Sequence, residues 1–121
     1  MNWTAVIIVV AAFAAFYLFK RSGQISPKDA HDLLSKGALV IDVRSPGEFN
    51  SGHLARAINI PLDEIEFSAP RHVHDKNQAL LLHCQSGMRS SMAKKKLNAL
   101  GYARAFNLGS YARAAQIVGR A

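Results

Sequence analysis

Residues 79–100 read ALLLHCQSGMRSSMAKKKLNAL, an apolar run, a short polar loop and an amphipathic stretch, closed by Gly101. Consecutive apolar residues without alternation suit a strand covered on both faces, the kind found in parallel sheets. From Ser90 to Leu100, the residues Ala93, Leu97 and Leu100 fall on one helical face, and Gly101 is a suitable C′ residue. The stretch is therefore a strand–loop–helix unit with Cys84 where the strand gives way to the loop.

The same alternation extends both ways. Ser26, Pro27 and Asp29 supply an N-cap, a first-turn proline and an acidic N3 residue, so a helix of about ten residues runs to Gly37 with Ala30, Leu33 and Leu34 inward. Ala38 to Val43 is a second buried strand. Turns at Ser45-Pro46-Gly47 and Ser51-Gly52 flank Glu48-Phe49, and Ala57 to Ile60 before Pro61 is a short strand. A short helix near Asp63 to Phe67 and a loop rich in His and Arg fill the stretch to Asp75. Beyond Gly101, a strand over Ala105–Leu108 and a helix over Tyr111–Val118 complete the order. Alternating strands and helices predict one α/β domain over residues 22–121, its central sheet mainly parallel and flanked by helices.

The N-terminus is different. From Trp3 to Phe19 the chain reads WTAVIIVVAAFAAFYLF, without charge, Pro or Gly, and it ends against Lys20-Arg21. The expectation is one transmembrane helix forming an anchor over residues 1–21 and meeting the membrane through residues 3–19, with Trp3 and Tyr17 at the two interfaces. A cleaved signal peptide lacks its basic n-region here, and bulky residues stand where a cleavage site needs small ones. With the basic pair C-terminal to the helix, the rest of the chain is expected at the cytoplasmic face of the cell membrane, where Cys84 stays reduced.

The chain has 121 residues and a formal charge of +7. Beyond an anchor, that length leaves room for one small domain. The charge would suit nucleic acid, an anionic membrane face or a small anionic substrate. Nucleic acid is not an expected partner, because no Cys/His metal spacing and no interleaving of aromatic with basic residues supports it. His31, His53, His72 and His74 have no convincing metal spacing either. The single cysteine excludes an internal disulfide.

Cys84 stands at the C-terminal end of a buried strand, the edge of an open α/β sheet where ligands bind. A thiolate there faces the amides of a tight loop, the positive end of the following helix and the guanidinium of Arg89. Each favours anionic sulfur, so the thiol is expected to be a nucleophile near neutral pH. Gly87 suits a loop that must curl back with its amides inward. His83 is an unsuitable base for the thiol, since adjacent strand residues point to opposite faces.

These residues carry a family resemblance. Cys84-Gln85-Ser86-Gly87-Met88-Arg89-Ser90 resembles the active-site loop of rhodanese domains. Ile41 to Phe49, Gly52-His53-Leu54 and Ala57-Ile58-Asn59-Ile60-Pro61 are similar to that family's upstream signature, and Gly101-Tyr102 with Asn107-Leu108-Gly109 to its downstream part. The resemblance covers residues 25–118 in order and spacing. It implies a sulfurtransferase without cofactor or metal, in which Cys84 carries sulfane sulfur as a persulfide from a small anionic donor such as thiosulfate to cyanide, an external thiol or a protein cysteine.

On the same resemblance, the amides of Gln85, Ser86, Gly87, Met88 and Arg89 cradle the charged sulfur and Arg89 helps hold the donor. Asp42 and Arg44 brace the loop or pair with Glu48, and His53 fastens its own turn. Phosphatases and arsenate reductases built on this fold place five residues between Cys and Arg, whereas four separate Cys84 from Arg89, which favours sulfur over phosphate. Gln85 stands where some members carry a basic residue. The alternative to an enzyme is a membrane-tethered persulfide carrier or binding module with little turnover.

Overall fold

The uniformly apolar runs become strands whose two faces are both covered. In the computed structural model, which describes residues 2–119 and only the backbone at 19–22, these are β1 (Leu39–Asp42), β2 (Ala57–Asn59), β3 (Leu80–His83) and β4 (Ala105–Gly109). All neighbours pair in parallel, in the order β2-β1-β3-β4. The chain steps outward from β1 to β2 and then returns to lay β3 on the other side of β1. The loops that follow β1 and β3 consequently diverge from a common crevice at the C-terminal edge, where such sheets bind ligands.

The helices are α1 (Trp3–Ser22), α2 (Pro27–Ser35), α3 (Pro46–Asn50), α4 (Ile65–His72, entered through a 3-10 turn at Leu62–Glu64), α5 (Met88–Ala99) and α6 (Tyr111–Val118). Ser26 caps α2 as its sequence predicts, its hydroxyl accepting from the Asp29 amide at 3.1 Å. Strand alternation divides the core. Ile41, Leu80, Leu82 and Cys84 pack with Ile65 of α4 and Ala93 and Leu97 of α5. Val40 and Leu81 face the other way, toward Ala30 and Leu34 of α2 and Ala114 and Ile117 of α6.

Two stretches differ from the expected elements. Residues 46–50, read as turns, form α3 under a complete capping box: Ser45 Oγ accepts from the Glu48 amide, and Glu48 accepts from the Ser45 amide. The reciprocal bonds satisfy two backbone donors at once and outweigh the cost of Gly47 in so short a helix. The expected helix near Asp63 to Phe67 extends to His72, with Pro70 inside it and the His72 ring on the Ser68 carbonyl at 2.9 Å.

The expected membrane anchor over residues 1–21 is corrected by the structure. Among the described residues no helix is long and apolar enough to cross a membrane. The run from Trp3 to Phe19 extends about 25 Å at ~1.5 Å per residue, against a hydrocarbon core of roughly 30 Å. The remainder of α1 is Lys20, Arg21 and Ser22, which do not continue the apolar run of the sequence. The transmembrane helix before the α/β domain, the membrane contact through residues 3–19 and the single-pass placement at the cytoplasmic face of the cell membrane all rested on that span. The side chains of Lys20 and Arg21, from which the orientation was read, lie outside the described ones, as do residues 1, 120 and 121 of the two expected segments.

Tyr102 closes the α5 side of the sheet. It is fully buried, and its hydroxyl donates to the Val73 carbonyl at 2.6 Å. Tyr102→Phe leaves that carbonyl unpaired inside the core and is expected to cost about 1–2 kcal/mol in a denaturant titration, with the alkylation rate of Cys84 unchanged.

Candidate active site

β3 ends at His83, and the next residue delivers its side chain to the α5 side. Cys84 is fully buried, and the amide of Gly87 donates to its Sγ at 2.9 Å. α5 begins at Met88 with no side-chain cap and no acidic residue in its first turn. Its first amides need acceptors, and the sulfur lies at this end of the helix, in reach of the amide of the N-cap residue Gly87 and of the Ser90 hydroxyl. Burial pushes the Cys84 thiol up; the Ser90 amide and hydroxyl and the amides of Gly87 and Ser86 outweigh that and hold it below the ordinary thiol value. The arrangement favours a thiolate, and any anionic sulfur bonded to it.

Two glycines allow the loop to close. Gly87 has φ +100°, a conformation that side chains rarely adopt, and an added Cβ there would stand 3.4 Å from Gly109. Gly109 itself has φ +95°, and a Cβ on it would lie 2.9 Å from Gln24 Nε2. It sits at the irregularity where β3 and β4 slip register after Leu82, and its carbonyl accepts from the Cys84 amide at 3.2 Å.

Ser90 and Asn107 hold the loop from beneath. The single Ser90 hydroxyl proton has three acceptors in reach: Asn107 Oδ1 at 2.7 Å, the Gly87 carbonyl at 3.1 Å and Cys84 Sγ at 3.6 Å. Asn107 Nδ2 also donates to the Gly87 carbonyl at 3.2 Å. Neither residue is singled out in the sequence for this part. Asn107 was the stronger signal, as a polar side chain in an otherwise apolar strand must find buried partners.

Asp42 and Arg44 form a buried pair with each other. Arg44 Nη2 donates to Asp42 Oδ2 at 2.7 Å and Nε reaches both carboxylate oxygens at 3.0 Å, while the Arg44 amide donates to Oδ1 at 2.9 Å. The hydrogen bond to Asp42 raises the guanidinium further above its usual range. The rest of Arg44 ties two loops together, through the Gly52 carbonyl at 2.7 Å and Gln85 Oε1 at 3.3 Å. Asn59 Nδ2 donates to the carbonyls of Asp42 and Arg44, at 2.9 and 3.0 Å, and so fastens β2 to the same corner.

Glu48 pairs with Arg89, whose Nη1 and Nη2 donate to its two oxygens at 2.6 and 3.0 Å. That bond, with the Ser45 amide, holds the Glu48 carboxyl down at about 2. The guanidinium is raised by the same contact and also senses the charge of Cys84. Ser86 and Met88 are exposed at the mouth of the loop. His53 Nδ1 lies 2.8 Å from the Phe49 carbonyl and its ring stacks on Phe49, within its own turn. A cavity of about 480 Å³ lies along the outer side of α5, lined by Phe16, Gln24, Met88, Ser91, Lys94 and Lys95 among others, and Cys84 does not line it. Among the described residues no group of three or more His, Cys, Asp or Glu is placed to hold a metal ion.

Comparison with known proteins bears on this geometry. A family model described as the rhodanese-like domain matches residues 26–113. Thiosulfate sulfurtransferase PspE of Escherichia coli (strain K12) is 39% identical over 69 residues, 57% of this chain and 66% of that protein, just under two thirds of its length. Uncharacterized protein YqhL of Bacillus subtilis (strain 168) is 31% identical over 109 residues, covering 84% of this chain and 85% of the other. Among solved structures, a rhodanese with anions from E. coli aligns with TM-score 0.62 and 35% identity, over 64% of this chain and 91% of that one. A human single-domain sulfurtransferase aligns with TM-score 0.65 and 30% identity, over 78% and 96%.

Two outcomes are expected from the geometry alone. Ser90→Ala removes a hydroxyl that favours anionic sulfur, so the midpoint of the pH dependence of Cys84 alkylation should move upward from its wild-type value, itself below that of an ordinary thiol. The Glu48 carboxyl, depressed from 4.5 to about 2, contributes stability that is present above 4.5 and lost as pH falls through about 2. The pair is a third exposed, so Glu48→Gln is expected to cost under about 1 kcal/mol at neutral pH. Denaturant titrations of the two proteins should converge as the pH is lowered across that window.

Proposed function

Since the chain belongs to the rhodanese-like domain family, we propose that it is a sulfurtransferase in which Cys84 takes a sulfane sulfur from a small anionic donor and passes it to an external thiol or to cyanide. The observation that carries this reading is the sulfur itself, buried at the C-terminal end of β3 and held by the Gly87 amide at 2.9 Å. Relatives named as thiosulfate sulfurtransferases support thiosulfate as the donor to try first.

The Cys84 thiolate attacks the outer sulfur of thiosulfate. A Cys84 S–S bond forms, the S–S bond of thiosulfate breaks, and sulfite leaves with the electron pair. The persulfide anion is then attacked at its outer sulfur by a thiolate, which departs as the acceptor's persulfide and restores Cys84. Amides along Gln85, Ser86, Gly87, Met88 and Arg89 stabilise the charge at both stages, because preorganised donors in a dry site need no rearrangement as charge moves. Arg89 adds its charge at the mouth while Glu48 holds its direction. Asp42 and Arg44 act through Gln85, keeping the loop in the shape that points its amides inward. The chain has a single cysteine, so the persulfide has no internal thiol to collapse onto and the acceptor comes from outside.

The test is intact-protein mass after incubation with thiosulfate. Wild type should gain one sulfur and Cys84→Ser none, and added cyanide or thiol should remove the gain with multiple turnovers. A wild type that gains no sulfur from thiosulfate or from a low-molecular-weight persulfide would sink the assignment. Loading without turnover on small acceptors would point instead to a persulfide carrier.

A further inference from the structure

His83 is the buried titratable group beside the sulfur that the sulfur transfer above leaves unused. It is fully buried, and its Nε2 is the one buried side-chain nitrogen or oxygen without a hydrogen-bond partner among the described residues. Its neighbours explain the difficulty. His83 and Asp42 stand opposite each other on β3 and β1, on the same face of the sheet, and Nε2 lies 3.6 Å from Asp42 Oδ2, too far for a hydrogen bond. That oxygen is already taken by Arg44 Nη2 and Nε, at 2.7 and 3.0 Å. The other ring nitrogen, Nδ1, lies 3.2 Å from the carbonyl oxygen of Cys84. The Tyr111 ring of α6 meets the imidazole edge-on at 5.8 Å between centroids, and the Arg44 guanidinium stacks over Tyr111 at 4.6 Å.

Both nitrogens thus face oxygen acceptors, and a neutral ring has one proton to give. Burial lowers the affinity for a second proton, against the pull of Asp42, and the Arg44 charge lowers it further. Nδ1 has the shorter contact and an acceptor that meets no other donor among the described residues, so the proton belongs there.

We propose that His83 is a positioning residue for the sulfur site: its Nδ1–H holds the carbonyl of Cys84 and so fixes the first peptide plane of the loop. The peptide is planar and trans, so a pinned Cys84 carbonyl also sets the direction of the Gln85 N–H, which points the opposite way. His83 reaches the sulfur through the backbone only, its side chain lying on the α6 face while that of Cys84 lies on the α5 face. The inference rests on the reading above in one respect, that Cys84 is the reacting sulfur.

The two amide side chains separate this role from mere packing. In His83→Asn the side-chain Nδ2 stands near the position of Nδ1, whereas in His83→Gln the Nε2 stands near that of the histidine Nε2. The measurement is the pH dependence of Cys84 alkylation by iodoacetamide. Asn is expected to keep the wild-type midpoint, while Gln raises it by about one unit, roughly tenfold less thiolate at neutral pH. Equal shifts in both variants, or rescue by Gln and not by Asn, would overturn the proposal. Nitrogen NMR of the wild-type ring gives an independent reading: Nδ1 should be protonated and Nε2 bare, and the opposite tautomer overturns the proposal even if both variants fail to fold. Alkylation uses no sulfur donor. A wild type that takes no sulfur yet shows the Asn/Gln difference would retain His83 in this role and discard the transferase reading.

Discussion

The sulfur of Cys84 sits where α5 begins and accepts from the amide of its N-cap residue, Gly87, at 2.9 Å. α5 starts without a polar side chain at its N-cap, so its first amides would be unsatisfied unless something at the end of β3 accepts from them. The strand fixes where Cys84 emerges and the core fixes where α5 lies. Only Gln85, Ser86 and Gly87 separate the two, and they must curl tightly enough to bring the amides onto the sulfur. The positive φ of Gly87, the positive φ of Gly109 beneath it and the slip in β3–β4 register follow from that demand. The thiol is acidified by contacts made where the helix begins, from the amides and hydroxyl of Ser90, Gly87 and Ser86.

The loop is braced by two ion pairs of different kinds. Asp42–Arg44 is buried, and removing two charges from water costs several kcal/mol before any attraction is counted, so its presence says little for stability. What it supplies is registry: the donors of Arg44 that Asp42 leaves over join the Gly52 and Gln85 segments to the end of β1. Glu48–Arg89 is a third exposed and contributes less, but one carboxylate serves both the capping box of α3 and the guanidinium beyond Cys84. The turn after β1 and the helix after β3 are therefore aligned through a single side chain.

How much of this the sequence discloses depends on the range of the forces involved. The strands are legible because burial on both faces demands unbroken apolar runs, and α2 because its cap, proline and acidic residue lie within four positions. α3 is obscured by Ser45-Pro46-Gly47, which also spells a turn; its capping box of Ser45 and Glu48 went unread. Ser90 and Asn107 escape notice because their bond joins residues 17 apart in sequence. Strand alternation correctly sends the His83 side chain away from the sulfur, yet it is silent on a contact made to the backbone of Cys84. The N-terminal run misleads for another reason. Apolar composition is necessary for a span, but length counts with it, and among the described residues no helix is both long and apolar enough.

The division of the sheet into two faces also separates two kinds of dependence on Cys84. On the α5 face, Gly87 and Ser90 touch the sulfur, and changes there act on its charge directly. On the α6 face, Asp42, Arg44, His83 and Tyr111 form a chain of contacts that reaches the sulfur only through Gln85 and the Cys84 carbonyl. A loop that turns amides toward one face holds the carbonyls of the same peptide planes on the reverse side, because each plane carries the two in opposition. The polar residues beneath β1 and β3 are that reverse side. Their burial follows from where those carbonyls point, while on the α5 face Ser90 and Asn107 hold the Gly87 carbonyl beside the sulfur.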